Sequence, residues 1–293
     1  MEDFETYRPL LLAIAYRMTG SMSEAEDIVQ EAYLRLSKVT ATEIRSLRSY
    51  LSTLVTRLCL DYLKSARVER ERYIGTWLPE PILTEDMNLL PEDTIEMRES
   101  ISMAFLVLLE TLTPPERAVF LLHEVFDYAF PEIGEIIGKS TANCRQIFHR
   151  AKEHLATQHQ RFEPSPAQQQ HLLRRFLAAC QSGDLAALTD VLAQDVTAWA
   201  DGGGKVTAAL RPVLGLAAVA RYCLGIISKT SRRYADTFAV NYAEVNGSPA
   251  LLIWADAHLF SLLTFTGNEQ MHKIWIIRNP EKLAFIQQQL AAR

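Results

Sequence analysis

The chain has 293 residues, 48% of them hydrophobic, and a formal net charge of −5, a length and composition suited to roughly two globular domains. No apolar run reaches the ~18 residues of a membrane span, and the acidic start MEDFETYRPL lacks the basic region of a secretory signal. Four cysteines, Cys59, Cys144, Cys180 and Cys223, form no CxxC pair, so reduced core thiols are expected, with no structural zinc, other metal or cofactor.

Residues 4–72 are expected to be helical throughout. Apolar residues recur at spacings of three and four: Leu11, Ile14, Ala15 and Met18, then Ile28, Ala32 and Leu36, then Leu51, Leu54, Leu58 and Leu63. Ser23 followed by Glu26 predicts a capping-box start for the helix through Leu36. Residues 73–95 hold Pro79, Pro81 and Pro91 without a clear period and read as a linker. Helices resume from about 95 to 155, and Pro164 and Pro166 mark a second boundary.

Beyond it, two helices (about 167–182 and 184–193) precede a short strand, VTAWA, and a further helix (about 215–229). Four runs have strand character: YADTFAVNYAEV, ALLIWADAHL, FSLLTFTG and MHKIWIIR. Asn246-Gly247-Ser248-Pro249 predicts a hairpin turn, and a last helix is expected from Glu281 to Ala292. Three helices before a mostly antiparallel sheet indicate an α+β domain.

The acidic total conceals a local pattern. Residues 45–72 hold seven Lys/Arg against three Asp/Glu, and residues 139–161 hold five against one, a net of +4 in each. Residues 84–100 hold one Arg against six Asp/Glu, a net of −5. Two basic patches flanking an acidic connector fit a protein that touches phosphates in two places.

The second patch carries the clearest local motif, YAFPEIGEIIGKSTANCRQIFHRAKEHL (128–155). Ile133, Ile136 and Ile137 make one apolar face, Gly138-Lys139 a tight turn, and Ser140 can cap the next helix. There Cys144, Ile147, Phe148, Ala151 and Leu155 face inward, leaving Arg145, Gln146, His149 and Arg150 outside. This pattern favours a DNA-reading helix-turn-helix over a hairpin with a solvated basic face. The first patch carries Arg57, Lys64, Arg67, Arg70 and Arg72 with Tyr50, Tyr62 and Tyr73 interleaved. It fits phosphate contact with base stacking, or an amphipathic core helix with a charged outer face.

In this order the segments resemble the extracytoplasmic-function sigma factors of bacterial RNA polymerase. SMSEAEDIVQEAYLRL (21–36) is similar to the clamp-docking helix of region 2, residues 45–73 to its promoter-melting and −10-reading helix, and residues 112–155 to region 4, the −35 reader. WLPEP (77–81), DGGGK (201–205) and NPEKL (279–283) are similar to signatures of the group with a fused SnoaL-like domain of NTF2-like fold. Glu281 stands where aspartate is usual in the last of these.

The resemblance implies two all-α sigma domains followed by an α+β cone: region 2 over 1–74, a linker over 75–97, region 4 over 98–162 and a SnoaL-like domain over 166–293. It implies polymerase contact by Asp27, Gln30 and Glu31. It implies −10 contact by Arg57, Tyr62, Lys64, Arg67, Arg70 and Arg72, with Tyr62 or Tyr73 stacking an extruded base. It implies −35 contact by Lys139, Ser140, Thr141, Arg145, Gln146, His149 and Arg150, where arginine suits guanine and glutamine suits adenine. Core RNA polymerase and promoter DNA are the implied partners, in the cytoplasm and away from membrane.

For the last domain three roles stand open: regulation through contact with the sigma domains, sensing of a small ligand in the cone, and catalysis. The regulatory contact would use Trp77, Leu78, Pro79, Glu80, Pro81, Asp201, Gly202, Gly203, Gly204, Lys205, Asn279, Pro280, Glu281, Lys282 and Leu283. Asn279-Pro280 also reads as an ordinary helix start. A SnoaL- or ketosteroid-isomerase-like enzyme with a DNA-binding N-terminal part is the alternative function. Its candidate acids and bases are Asp201, Asp256, His258 and His272, with Trp199, Trp254 and Trp275 as apolar walls. Asp256 and His258 share a face only if their strand is continuous. DGGGK is not a phosphate loop, since GxxxxGK[ST] and a following helix are missing, and it reads as a contact loop.

Overall fold

The structure, a computed structural model, describes residues 2–39, 44, 46–84, 99–156 and 165–292. Most of the acidic run (85–98), the later part of the linker and Pro164 lie outside them. Two compact units are present: Met1–Arg72 with Asp86–His159, and Tyr73–Glu85 with Gln160–Arg293.

In the first unit α1 (Glu2–Thr19), α2 (Met22–Leu36) and α3 (Leu47–Glu71) pack together. Leu11, Ile14, Ala15 and Met18 are buried, and so are Ile28 and Ala32. The start of α2 differs from the sequence reading. Ser21, not Ser23, is the N-cap, with extended backbone and its Oγ accepting from the Glu24 N–H. Ser21-x-x-Glu24 and Ser23-x-x-Glu26 both satisfy the capping pattern. Gly20, left-handed at φ 69°, ends α1 directly before Ser21 and selects the earlier one. On α3 the buried stripe is Leu51, Val55, Cys59, Leu63 and Ala66. Leu54 and Leu58 are only half-buried.

The same unit continues with α4 (Met103–Leu109), α5 (Pro114–Phe120), a π-helical turn (Leu121–Val125), α6 (Phe130–Ile137) and α7 (Thr141–Ala156). Helices α6 and α7 form the helix-turn-helix. Gly138 closes α6 at φ 67°, and Ser140 Oγ accepts from Asn143 N at 3.3 Å. Cys144, Ile147, Ala151 and Leu155 are buried. Polar ties join α1–α3 to the later helices. Ser52 and Tyr128 share a buried hydrogen bond of 2.7 Å, and Arg117 donates to Met18 O at 2.7 Å. Arg17, 1% exposed, donates to Ser100 Oγ at 2.9 Å.

In the second unit α8 (Pro166–Ser182), α9 (Leu185–Val191) and α10 (Leu216–Arg233) pack on one face of a six-stranded sheet. Its strands are β1 (Leu192–Asp201), β2 (Val213–Leu214), β3 (Ala239–Val245), β4 (Ser248–Ala255), β5 (His258–Thr266) and β6 (Met271–Ile277). Their order is β2-β1-β6-β5-β4-β3, antiparallel except for β1–β6. The Asn246-Gly247 turn is present, with φ of 52° and 69°, the two-residue geometry such pairs favour. A second tight turn was missed: Asp256 and Ala257 have φ of 51° and 59° and end β4, so ALLIWADAHL is not one strand. α11 (Pro280–Ala291) packs along β5.

All four cysteines are buried and unbridged. Burial pushes the Cys180 thiol up to about 12 and also raises Cys59, Cys144 and Cys223. Reaction needs both thiolate and access. A thiol-specific reagent at about pH 8, below even the unperturbed thiol range, is therefore expected to leave the folded protein unreacted and to titrate four thiols after denaturation. Fast labelling of any of them before unfolding would contradict this placement.

Candidate functional site

Strand β1 alternates sides: Ala198 and Ala200 belong to the core under α8 and α10, which puts Asp201 on the opposite face. Its side chain is fully buried, yet it does not lack partners. It accepts from Tyr73 OH at 2.6 Å, Leu78 N at 2.9 Å, Gly203 N at 3.0 Å and Lys282 Nζ at 2.6 Å. Its carbonyl accepts from Arg278 N at 2.7 Å and Asn279 N at 2.9 Å. WLPEP, DGGGK and NPEKL thus meet at one carboxylate.

Each segment supplies a different element. Asn279 is the N-cap of α11, its Oδ1 accepting from Glu281 N, while its Nδ2 donates to Tyr73 OH at 2.9 Å. Lys282 also donates to Leu78 O and lies 4.1 Å from the Trp77 ring centre, a cation–π arrangement. Burial, then the bond to Asp201, raises the Tyr73 hydroxyl well above its ordinary pKa, so Tyr73 stays a donor. A Cβ at Gly203 (φ 59°) would fall 2.4 Å from Asn279 Nδ2, and one at Gly204 (φ 70°) 2.9 Å from Ile74 Cδ1. The glycine loop does donate to an anion, through Gly203 N, but the anion is the chain's own carboxylate. Lys205 pairs with Glu281 at the rim, an exposed ion pair of small energetic weight.

The segment from Tyr73 then runs into the sheet edge. Leu78, Ile82 and Leu83 are buried, as are Pro79, Glu80 and Pro81. Leu83 pairs antiparallel with Val245 of β3, and Asn246 N donates to Ile82 O at 3.0 Å. Gln289 of α11 bonds both main-chain groups of Leu83. Residues 82–84 therefore pair with the β3 edge through one bridge and its flanking main-chain hydrogen bonds, satisfying groups that an edge leaves open. Tyr73, Asn246 and Gln289 were not read as partners of this cluster. Only the tyrosine next to WLPEP offered a sequence signal.

In the first unit the residues assigned to polymerase and DNA fall into outward and inward groups. Asp27 and Gln30 are exposed on one face of α2, with Glu31 half-buried and paired to Arg35 at 2.7 Å. Lys64 is exposed and pairs with Asp61, Arg72 is exposed, and Tyr62 is half-buried. Arg67 lies in α3, but its side chain is outside the described ones. Two arginines turn toward protein. Arg57 donates to the carbonyls of Ile136 and Glu135, at 2.8 and 2.9 Å. Arg70 pairs with Glu110 and donates to Thr19 O. Tyr73 is engaged by Asp201 instead of standing free to stack. Around the helix-turn-helix, Lys139, Ser140, Arg145, Gln146, His149 and Arg150 are exposed and Thr141 is half-buried.

The catalytic candidates do not converge. Asp256 is exposed in the β4–β5 turn, bonded to Thr237. His258 is exposed at the start of β5, and His272 stands 3.5 Å from Asp195. Asp201 is occupied. Trp199 and Trp275 stack at 6.1 Å on the face Asp201 shares, while Trp254 is half-buried on β4. Among the described residues no group of acidic, histidine and cysteine side chains could hold a metal, and no described helix is long and apolar enough to cross a membrane.

Comparison with known proteins bears on both units. Residues 4–69 match the family model of Sigma-70 region 2, and residues 102–155 that of Sigma-70, region 4. The chain is 36% identical over 290 residues to the ECF RNA polymerase sigma factor SigJ of Mycobacterium tuberculosis, covering 96% of this chain and 92% of that protein. It is 36% identical over 191 residues to a probable ECF RNA polymerase sigma factor of the same species, SigI, covering 64% of this chain and 65% of that one. The crystal structure of M. tuberculosis SigJ superposes with a TM-score of 0.74 at 33% identity, covering 97% of this chain and 98% of the other.

Proposed function

Because the chain belongs to the extracytoplasmic-function sigma factors of RNA polymerase, we propose that it reads −10 and −35 promoter elements in the cytoplasm under control of its own C-terminal domain. Asp27, Gln30 and Glu31 meet core polymerase. Lys64, Arg67 and Arg72, with Tyr62, hold the −10 region, and Arg57 and Arg70 join them only after leaving their protein partners. Lys139, Ser140, Thr141, Arg145, Gln146, His149 and Arg150 face the −35 groove. The chain forms the competent complex and polymerase supplies the chemistry, so no residue is given a catalytic role.

One observation carries the regulatory reading: the fully buried Asp201 ties down Tyr73 and Leu78. Tyr73 stands two residues past the end of the −10 helix. Docking of residues 73–84 on the C-terminal domain therefore anchors the start of the connector between the two promoter-reading regions. The enzyme or ligand-sensor alternative is weaker, since its candidate acids and bases are scattered or already engaged. Gel filtration with core RNA polymerase is expected to give co-elution, and run-off transcription a specific product. Cutting after Phe162 is expected to change polymerase affinity or promoter-dependent output. Absence of co-elution at low and moderate salt overturns the promoter-reading assignment. A truncated chain indistinguishable from the whole overturns the regulatory one.

A further inference from the structure

We propose that the outer face of α8 and α10 is a third DNA-contacting surface, one that holds the phosphate backbone of duplex DNA without reading its sequence. The two helices pack against each other, and their apolar stripes cover the sheet. Their outward residues are unusual for a chain of net charge −5. On α8 these include His171, Arg174 and Arg175, and on α10 Arg221, Lys229, Arg232 and Arg233, all exposed. Neither helix contains a carboxylate. The steps 171–174–175 and 221–229–232 each stay within one helical face.

Among the described residues these six Lys/Arg side chains have no carboxylate in ion-pair contact, although Glu269 shares a cleft with His171 and Arg175. Arg233 lies over the Tyr234 ring. Several cations elsewhere do meet a carboxylate, among them Arg35, Lys64, Arg70, Arg117, Lys152, Lys205 and Lys282. Like charges on adjacent helices repel, and a bound polyanion relieves that repulsion.

The chemistry of the face fits nucleic acid better than protein. Protein interfaces rest on large apolar or aromatic anchors, and none of the exposed large hydrophobic side chains lies on α8 or α10. Gln168, Gln170 and Gln181 add exposed amide donors along α8. Five of the six cations are arginines, whose guanidinium forks suit phosphate oxygens. Each helix is about 25 Å long, enough to follow several phosphates of one strand at 3.4 Å spacing along the axis.

This proposal rests on the chain acting at promoters and goes beyond it by adding a contact that neither sigma region supplies. The test uses the full chain assembled with core polymerase. One variant carries Arg174→Gln and Arg175→Gln, a second Arg221→Gln, Lys229→Gln and Arg232→Gln, and a third all five changes. Binding to a promoter duplex and to a scrambled duplex of equal length is followed across salt. Each lost phosphate contact lowers the slope of log affinity against log salt by roughly 0.9, so the fivefold variant is expected to lose about 3 or more. The loss is expected equally on both duplexes, with the preference for promoter and the affinity for polymerase intact. An unchanged slope overturns the proposal, as does lower affinity with the slope preserved, the mark of a folding defect. Weakened polymerase binding with unchanged DNA slopes assigns the face to protein and also overturns it. If the unaltered chain fails to join polymerase at all, the promoter-reading assignment fails instead, a separate outcome.

Discussion

Replacing Asp201 with alanine is expected to release residues 73–84 from the C-terminal domain and to destabilise that domain by about 3–5 kcal/mol, the usual cost of breaking a buried charge pair. The change leaves the Lys282 ammonium, 12% exposed, without its carboxylate. It also leaves Tyr73 OH, Leu78 N–H and Gly203 N–H without their acceptor. A water in the vacated space restores hydrogen bonds but no negative charge for Lys282, so opening of the segment is favoured. Denaturant unfolding measures the stability, and limited proteolysis between Tyr73 and Thr84 measures the release. Removing Lys282 as well, as Asp201→Ala with Lys282→Met, is expected to recover part of the loss, because no buried charge is then left alone. A single variant within about 0.5 kcal/mol of wild type, the range of ordinary surface changes, would show that Asp201 does not hold the three segments together.

Loss of Glu110 is the second large effect expected, in the helical unit. Its carboxylate pairs with Arg70 and with Arg117, the latter at 2.7 Å, and Arg117 is 4% exposed. Both arginines reach back to the end of α1, Arg70 to Thr19 O and Arg117 to Met18 O. Burial first, and the neighbouring Arg117 after it, depress the Arg70 pKa, with Glu110 opposing both. Glu110→Ala therefore leaves two cations facing each other without a counter-charge, and about 3 kcal/mol of destabilisation is expected. The remaining repulsion is electrostatic, so added salt should restore part of the stability, the reverse of what salt does to an ordinary surface pair. Glu110→Gln, which keeps an acceptor and the side-chain shape, should cost less. Denaturant unfolding at low and high ionic strength decides the matter, and a loss independent of salt would contradict the charge argument.

The two predictions share a lesson about legibility. The periodicity of α1 and α7, the left-handed glycine after α6 and the Asn-Gly turn are short-range features. Each depends on side chains within a few residues, so the linear text carries them. The three signatures WLPEP, DGGGK and NPEKL were legible by resemblance as marks of a kind of fused domain, and the glycines and flanking charges of DGGGK marked it as a contact loop. What joins them was hidden. The Tyr73–Asp201 bond spans 128 residues, and nothing in the neighbourhood of Tyr73 distinguishes a ring that stacks a base from a hydroxyl that donates to a buried carboxylate.

The basic patch of α3 divides along the same line. Composition left it between a phosphate surface and an amphipathic core helix, and could not say that Arg57 and Arg70 bond carbonyl and carboxylate oxygens of distant residues. Arg17 sits in an apolar-looking helix and is buried where Ser100 receives it alongside the Ala13 carbonyl of its own helix; the Ser100 bond exists only once the chain is closed. The sequence reading began α2 at Ser23, and Gly20, by ending α1, sets the cap at Ser21 instead. The β4–β5 turn was invisible because Asp256-Ala257 lacks a glycine, and pairing of the strands, not turn chemistry, holds both residues at positive φ. Local hydrogen bonding and the periods of helix and strand settle the elements and the helix-turn-helix from the order of residues alone. Which charges are spent inside the fold and which remain for partners depends on desolvation and on pairings between remote segments, and only the packed chain decides that.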